Sequence, residues 1–430
     1  VTTAGWTPIL DGEPRERALG AIRDITLALV DPEAFPGPYV DDPGIATLLS
    51  YVVQADLPEL ADLTDRAGEG AAAWLDRAVG RLADGVRGPG LWGGIAGVGF
   101  AVAHLAGGEE AEEALGVIDE ALAEVLAVEP WRGDYDLISG LAGLGVYAIE
   151  RGSAPLATRV LEHLEALAAP DPELGGLAWY TPPELLPAWQ REICPDGYYN
   201  LGLAHGIPGV VGLMAHYVRA GIEPGRARRL ADGGVAWLRA AAPVPADPEA
   251  TARFPSWRGR GAGAEPSRLA WCYGDPGVAL PLLLAARATG DAALDAEAVA
   301  LGRMMAARPF TSSGVLDTGL CHGAAGVAHA LLRLAHATHE PAISVAAARW
   351  IDRTLAMRRD DGVAGFPTRR MDDGVESWEA EPGLLTGAAG VGLALLAACS
   401  DVEPAWDRML LVDVPPLGAA PVVPPTIDPR

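Results

Sequence analysis

Three consecutive copies of a repeated glycine motif are preceded by sulfur or imidazole. The pairs Ala204-His205, Cys272-Tyr273 and Cys321-His322 each stand immediately before the glycine that opens the motif. Two of the four cysteines and two of the eight histidines therefore fall in two adjacent columns. Cysteine thiolate and neutral imidazole are the ligands of a borderline divalent metal, Zn2+ above all. Cys272, Cys321 and His322 supply three of them. The fourth tetrahedral position stays open, which is the catalytic rather than the structural arrangement. Forty-nine residues separate the two cysteines, so this is no zinc-finger spacing. The case rests on the repeat that aligns them.

That repeat runs through the whole chain. It opens at Gly44, Gly94, Gly140, Gly206, Gly274, Gly323 and Gly387, with successive copies 50, 46, 66, 68, 49 and 64 residues apart. Each copy begins a stretch such as 98–105, helical in length and apolar nearly all round, and a helix of that kind has to be buried. Between them lie amphipathic segments such as 111–127 and 155–168. A buried helix alternating with an amphipathic one predicts an all-α fold, with an inner ring wrapped by an outer ring. In a closed ring, equivalent positions converge on one end of one axis, so distant residues become neighbours. The three longer gaps leave room for small insertions within 145–200 and 237–267, and 412–430 reads as a Pro-rich extended tail.

Composition removes several alternatives. All 32 basic residues are arginine, which excludes Schiff-base lysine chemistry and a P-loop. A formal charge of −25 argues against nucleic-acid binding, which needs a basic footprint. The N-terminus lacks a charged start followed by an apolar core, and no apolar run is long enough to span a bilayer. The expectation is a cytoplasmic protein whose four cysteines are reduced, with metal binding or catalysis ahead of crosslinking. Cys399 lies in an apolar run and reads as a buried small hydrophobe; Cys194 has no repeat partner. His104, His163, His216, His329, His336 and His339 read as surface or satisfied core residues.

The segments Leu203-Ala204-His205-Gly206, Trp271-Cys272-Tyr273-Gly274 and Cys321-His322-Gly323 resemble the signatures of lanthionine synthetase C-like proteins, the cyclases of lanthipeptide biosynthesis. The resemblance runs from about Gly44 to Ala398. It implies an α/α toroid of seven inner and seven outer helices, here over 1–411, with a zinc held by Cys272, Cys321 and His322. It carries the family's further active-site positions onto Asp136, His205, Arg268 and Tyr273. The implied reaction adds a peptide cysteine thiolate to a dehydroalanine or dehydrobutyrine, closing a (methyl)lanthionine thioether ring. His205 is then the acid or base at Cα. Asp136 orients that imidazole or takes the thiol proton. Arg268 supports Tyr273 and Cys272 or stabilises the enolate oxygen. The implied partners are a dehydrated precursor peptide, a separate dehydratase and a modification or export complex.

Other functions fit the same residues. Glutathione or another small thiol could add to dehydrated side chains, or a zinc-containing toroid could bind peptide without catalysis. Protein prenylation on an α/α ring uses an Asp with one Cys and one His, which the Cys–Cys–His set disfavours. A glycosidase ring would need paired carboxylates facing its axis, and the columns offer only Asp42 beside Asp136.

Overall fold

Backbone amides in the first turn of a helix have no partner inside it. This chain satisfies them in the same way from copy to copy. The amides of Leu141, Ala142 and Gly143 donate to the carbonyls of Asp134, Tyr135 and Asp136, and those of Ala324, Ala325 and Gly326 donate to Asp317, Thr318 and Gly319. Ala388, Ala389 and Gly390 bond Glu381, Pro382 and Gly383 likewise. The incoming loop thus lies along the first helical turn, with bonds reaching seven residues back.

The close approach explains the second glycine of the motif. A Cβ on Gly326 would sit 1.8 Å from the Leu320 carbonyl oxygen, and one on Gly390 would sit 1.9 Å from that of Leu384. No side chain fits there without moving backbone.

The computed structural model describes residues 5–37, 41–84, 88–245, 247, 249–259, 265–372 and 374–416. Seven helices begin at the glycine motifs: α2 (Asp42–Ala55), α4 (Ile95–Leu105), α6 (Leu141–Arg151), α9 (Ile207–Ala220), α11 (Asp275–Thr289), α13 (Ala324–Thr338) and α15 (Ala388–Cys399). They are buried over most of their length, as apolar faces all round require. Seven more are buried on one side: α1 (Gly12–Leu29), α3 (Thr64–Gly80), α5 (Glu109–Leu126), α7 (Ala154–Leu167), α10 (Pro224–Ala241), α12 (Ala292–Ala307) and α14 (Pro341–Ala356). In α5 the stripe is Ala111, Leu115, Ile118, Leu122 and Leu126, spaced at three or four residues.

The chain divides into two compact units, built mainly from Val1–Val86 with Ser313–Trp406 and from Arg87–Ser312 with Asp407–Val414. In the second, α4, α6, α9 and α11 pack in sequence order, and each also packs against the outer helix that follows it. In the first, α13, α15 and α2 pack in turn, with α14 and α3 outside α13 and α2. The outer partner of α15 is α1, from the opposite end of the chain. Trp6 secures that return, its indole donating to Ala397 at 2.8 Å.

Both regions marked for insertions form structure in the second unit. Strands β1 (Ala169–Pro170) and β2 (Leu177–Ala178) pair, while β3 (Tyr180–Thr181), β4 (Tyr198–Asn200) and β5 (Trp257–Arg258) make a three-stranded sheet. The short helix α8 (Ala188–Ile193) lies between β3 and β4. Residues 246, 248 and 260–264 of the second region lie outside the described residues. In the first unit, β6 (Thr368–Asp372) and β7 (Val375–Glu379) form a hairpin.

The segment expected as an extended tail starts differently. Val412 and Val414 are buried because their side chains face the apolar interior, and Arg408 bonds both Glu150 and Asp413. Residues 417–430 lie outside the described residues.

Two predictions follow from packing. Gly326→Ala should lower the urea unfolding free energy by about 2 kcal/mol or more, the cost of overpacking against backbone. Gly20→Ala, on the open face of α1 with nothing near its Cβ, should raise it by about 0.5–1 kcal/mol. Equal effects would contradict the close-approach account.

His336 stacks on Trp6 at 3.8 Å, beside Arg333. Burial first, then the Arg333 charge, push its imidazole from the ordinary 6.5 down to about 4. The unfolded chain therefore binds this proton before the native one does. The stability is complete above 6.5 and is lost as pH falls toward 4. Thermal midpoints at pH 7 and pH 4.5 should differ more for the native chain than for His336→Phe.

Candidate active site

The loops preceding successive helices bond to one another at matching or adjoining positions. The Trp92 amide donates to Ile138 at 3.0 Å, Leu137 to Ala204 at 3.0 Å, and Ala204 to Cys272 at 3.5 Å. In the first unit Cys321 donates to Leu385 at 2.7 Å. Trp92, Ile138, Ala204, Cys272, Cys321 and Leu385 all occupy the second position before their repeat's glycine. Within each unit, the column inferred from the repeat is a physical row.

In the second unit that row borders a cavity of about 740 Å³, onto which Asp136, His205, Arg268 and Tyr273 all face. Asp136 is held from several sides. Its Oδ1 accepts from the Ser139 and Gly140 amides at 2.9 Å each, and its Oδ2 lies 2.5 Å from His205 Nδ1. These amides stand just ahead of α6, whose N-terminal partial positive charge favours a carboxylate. The His205 side chain is 42% exposed, against 9% for Asp136. Burial pulls the His205 pKa down, but the hydrogen bond to Asp136 and its charge outweigh this, and the net shift is upward. With Nδ1 donating to Asp136, Nε2 is the nitrogen left for proton exchange.

Tyr273 accepts from Asn200 Nδ2 at 3.3 Å and stands 6.4 Å from the His205 ring. Arg268 is exposed on the cavity wall. Cys272 is 4% exposed, and its neighbour Trp271 donates from its indole to the Leu410 carbonyl at 2.9 Å. The C-terminal segment thereby braces the loop that carries the thiol.

Cys321 and His322 are partly buried ahead of α13. Asp317 Oδ2 lies 3.7 Å from His322 Nε2, while Asp317 Oδ1 is buried without a hydrogen-bond partner. Cys272 of the second unit and Cys321 and His322 of the first each offer one atom that a metal could use. Two sulfurs and one imidazole nitrogen fit zinc by softness and by number. The other two cysteines stay out: burial pushes Cys399 up to about 12 and raises Cys194 as well.

Asp134 is a site residue that the sequence reading passed over. It lines the cavity and accepts from Ser139 Oγ at 3.0 Å, a hydroxyl that also reaches Asp136. Burial and then the neighbouring Asp136 raise its pKa. The signal was the Asp134-Tyr135-Asp136 alternation, which puts two carboxylates on one side of an extended loop. Trp189 and Trp257 also line the cavity. They come from insertions that carry no repeat register.

No helix among the described residues is long and apolar enough to cross a membrane. Comparison with curated proteins finds no match. Among solved structures, nisin cyclase is similar with a TM-score of 0.70 at 18% identity, covering 86% of this chain and 90% of its own. That likeness shows the fold, the all-α toroid class expected from the repeats. The profile of the lanthionine synthetase C-like proteins matches residues 42–411, which takes in all seven repeats. With most of its length covered by that match, the chain belongs to the lanthionine synthetase C-like protein family.

Proposed function

We propose that this protein is a zinc-dependent lanthipeptide cyclase. The observation that carries the reading is the His205–Asp136 pair, 2.5 Å apart on the cavity of the second unit, in a chain of the lanthionine synthetase C-like family. Cys272, Cys321 and His322, in the matching columns of the repeat, support it as a zinc-ligand set. Zinc held by those three residues would lower the pKa of a substrate thiol and keep its sulfur nucleophilic.

The chain's own residues account for the rest. The substrate sulfur bonds to the β-carbon of a dehydroalanine or dehydrobutyrine, the thiol proton having left. The double-bond electrons move onto the adjoining carbonyl as an enolate, and Cα then takes a proton. Mass does not change. His205 suits the last transfer, since Asp136 keeps its imidazolium available and fixes Nδ1 as the inner donor. Arg268 offers N–H donors along the cavity wall to the enolate oxygen. Tyr273, held by Asn200, positions the substrate beside His205.

The reaction consumes a peptide already dehydrated at serine or threonine, so a dehydrating activity must supply it. It also needs free thiols, which suits a reducing cytoplasm.

Cys272→Ala and His322→Ala should lose stoichiometric zinc by elemental analysis, and with it cyclisation of a dehydrated precursor. Cyclisation is read as disappearance of free thiol without mass change. His205→Ala should keep its zinc while the rate falls about 100-fold or more. Full zinc in both ligand variants would overturn the metal assignment. A gain of glutathione mass instead of ring closure would replace cyclase with small-thiol transferase.

A further inference from the structure

The cavity wall carries a series of aromatic rings that neither metal binding nor proton transfer requires. Trp189 of α8 meets Trp257 of β5 edge-on, with ring centroids 6.4 Å apart. Trp257 stacks on Tyr198 at 5.9 Å and meets Tyr273 edge-on at 6.1 Å. Tyr273 stands 6.4 Å from His205. The rings lead from the surface to the proton-transfer pair. At their outer end Trp189 is 55% exposed, beside Leu185 and Pro187 on the same cavity. A large apolar ring left in water at the mouth of a concave site marks a ligand contact.

Spacing and charge describe the ligand. Alternate residues of an extended peptide place side chains on one face about 6.6 Å apart, two rises of the strand. The rings recur at nearly that interval. Among the described residues, the cavity also presents the carboxylates of Asp134, Asp136 and Glu265 and the guanidinium of Arg268. An acidic segment is disfavoured there.

We propose that this aromatic series is a specificity subsite. At its outer end it receives a large aromatic or aliphatic side chain about six residues along the substrate peptide from the reacting cysteine, and the surrounding carboxylates reject an acidic one. The peptide nature of the occupant rests on the cyclase reading; the preference for side-chain type rests on the wall itself.

The test compares dehydrated peptides that differ only at that position: Phe, Ala or Glu. With the whole protein, kcat/KM for Phe should exceed that for Ala about tenfold, and Glu should be poorest. In Trp189→Ala the Phe advantage should shrink to within about twofold, and Trp189→Phe should restore most of it. An unchanged Phe-to-Ala ratio in Trp189→Ala overturns the subsite while leaving the cyclase reading intact. Fluorescein-labelled peptides with serine in place of the cysteine cannot cyclise, and their binding is read by anisotropy. If nothing is cyclised, tighter Phe binding that is lost in Trp189→Ala sustains the subsite and sinks the cyclase. Equal binding of the Phe and Ala peptides sinks the subsite.

Discussion

A loop carbonyl pressed against a helix glycine is the contact on which the rest of this molecule depends. At Gly326 and Gly390 the oxygen lies where a side chain would begin. The approach lets the incoming strand of backbone satisfy the helix's first amides, bond by bond. Repeated from copy to copy, it sets the height of each loop above its helix. The two residues before the glycine then have little freedom, and loop-to-loop hydrogen bonds align them with their neighbours. Chemistry follows from backbone packing here, since no ligand position has to be defined by its own side chain's contacts.

The electrostatics of the site are built on the same scaffold. Asp136 is a buried carboxylate, costly unless its oxygens are satisfied. Two amides just ahead of α6 and the His205 ring satisfy them. The helix terminus thus stabilises the anion, and the anion supports the imidazolium. Cys272 sits one loop away, tied through its carbonyl to Ala204, and its neighbour Trp271 is tied to the C-terminal segment. The Leu410 carbonyl therefore braces the residue next to a candidate ligand.

The insertions contribute a different kind of surface. They supply tryptophans and a short helix to the cavity, where the repeat supplies Asp136 and His205. Such a division lets reaction chemistry stay constant while the wall changes what is admitted.

Much of this was legible in the residues. The glycine spacing and the change from all-round apolar to one-sided helices specified fourteen helices, because burial on every face and burial on one face require different side-chain patterns. The columns named Cys272, Cys321, His322 and His205, since a repeated backbone device puts repeated positions at equivalent places. Asp136, Arg268 and Tyr273 came from family likeness rather than from spacing. Sequence did not reveal that α1 is the outer partner of α15, that Val412 and Val414 are core, or that Asp134 and Trp189 reach the cavity. Those facts depend on contacts between residues far apart along the chain, where no local propensity or period applies. A repeat states which positions are alike; only packing decides which unlike segments come to lie beside them.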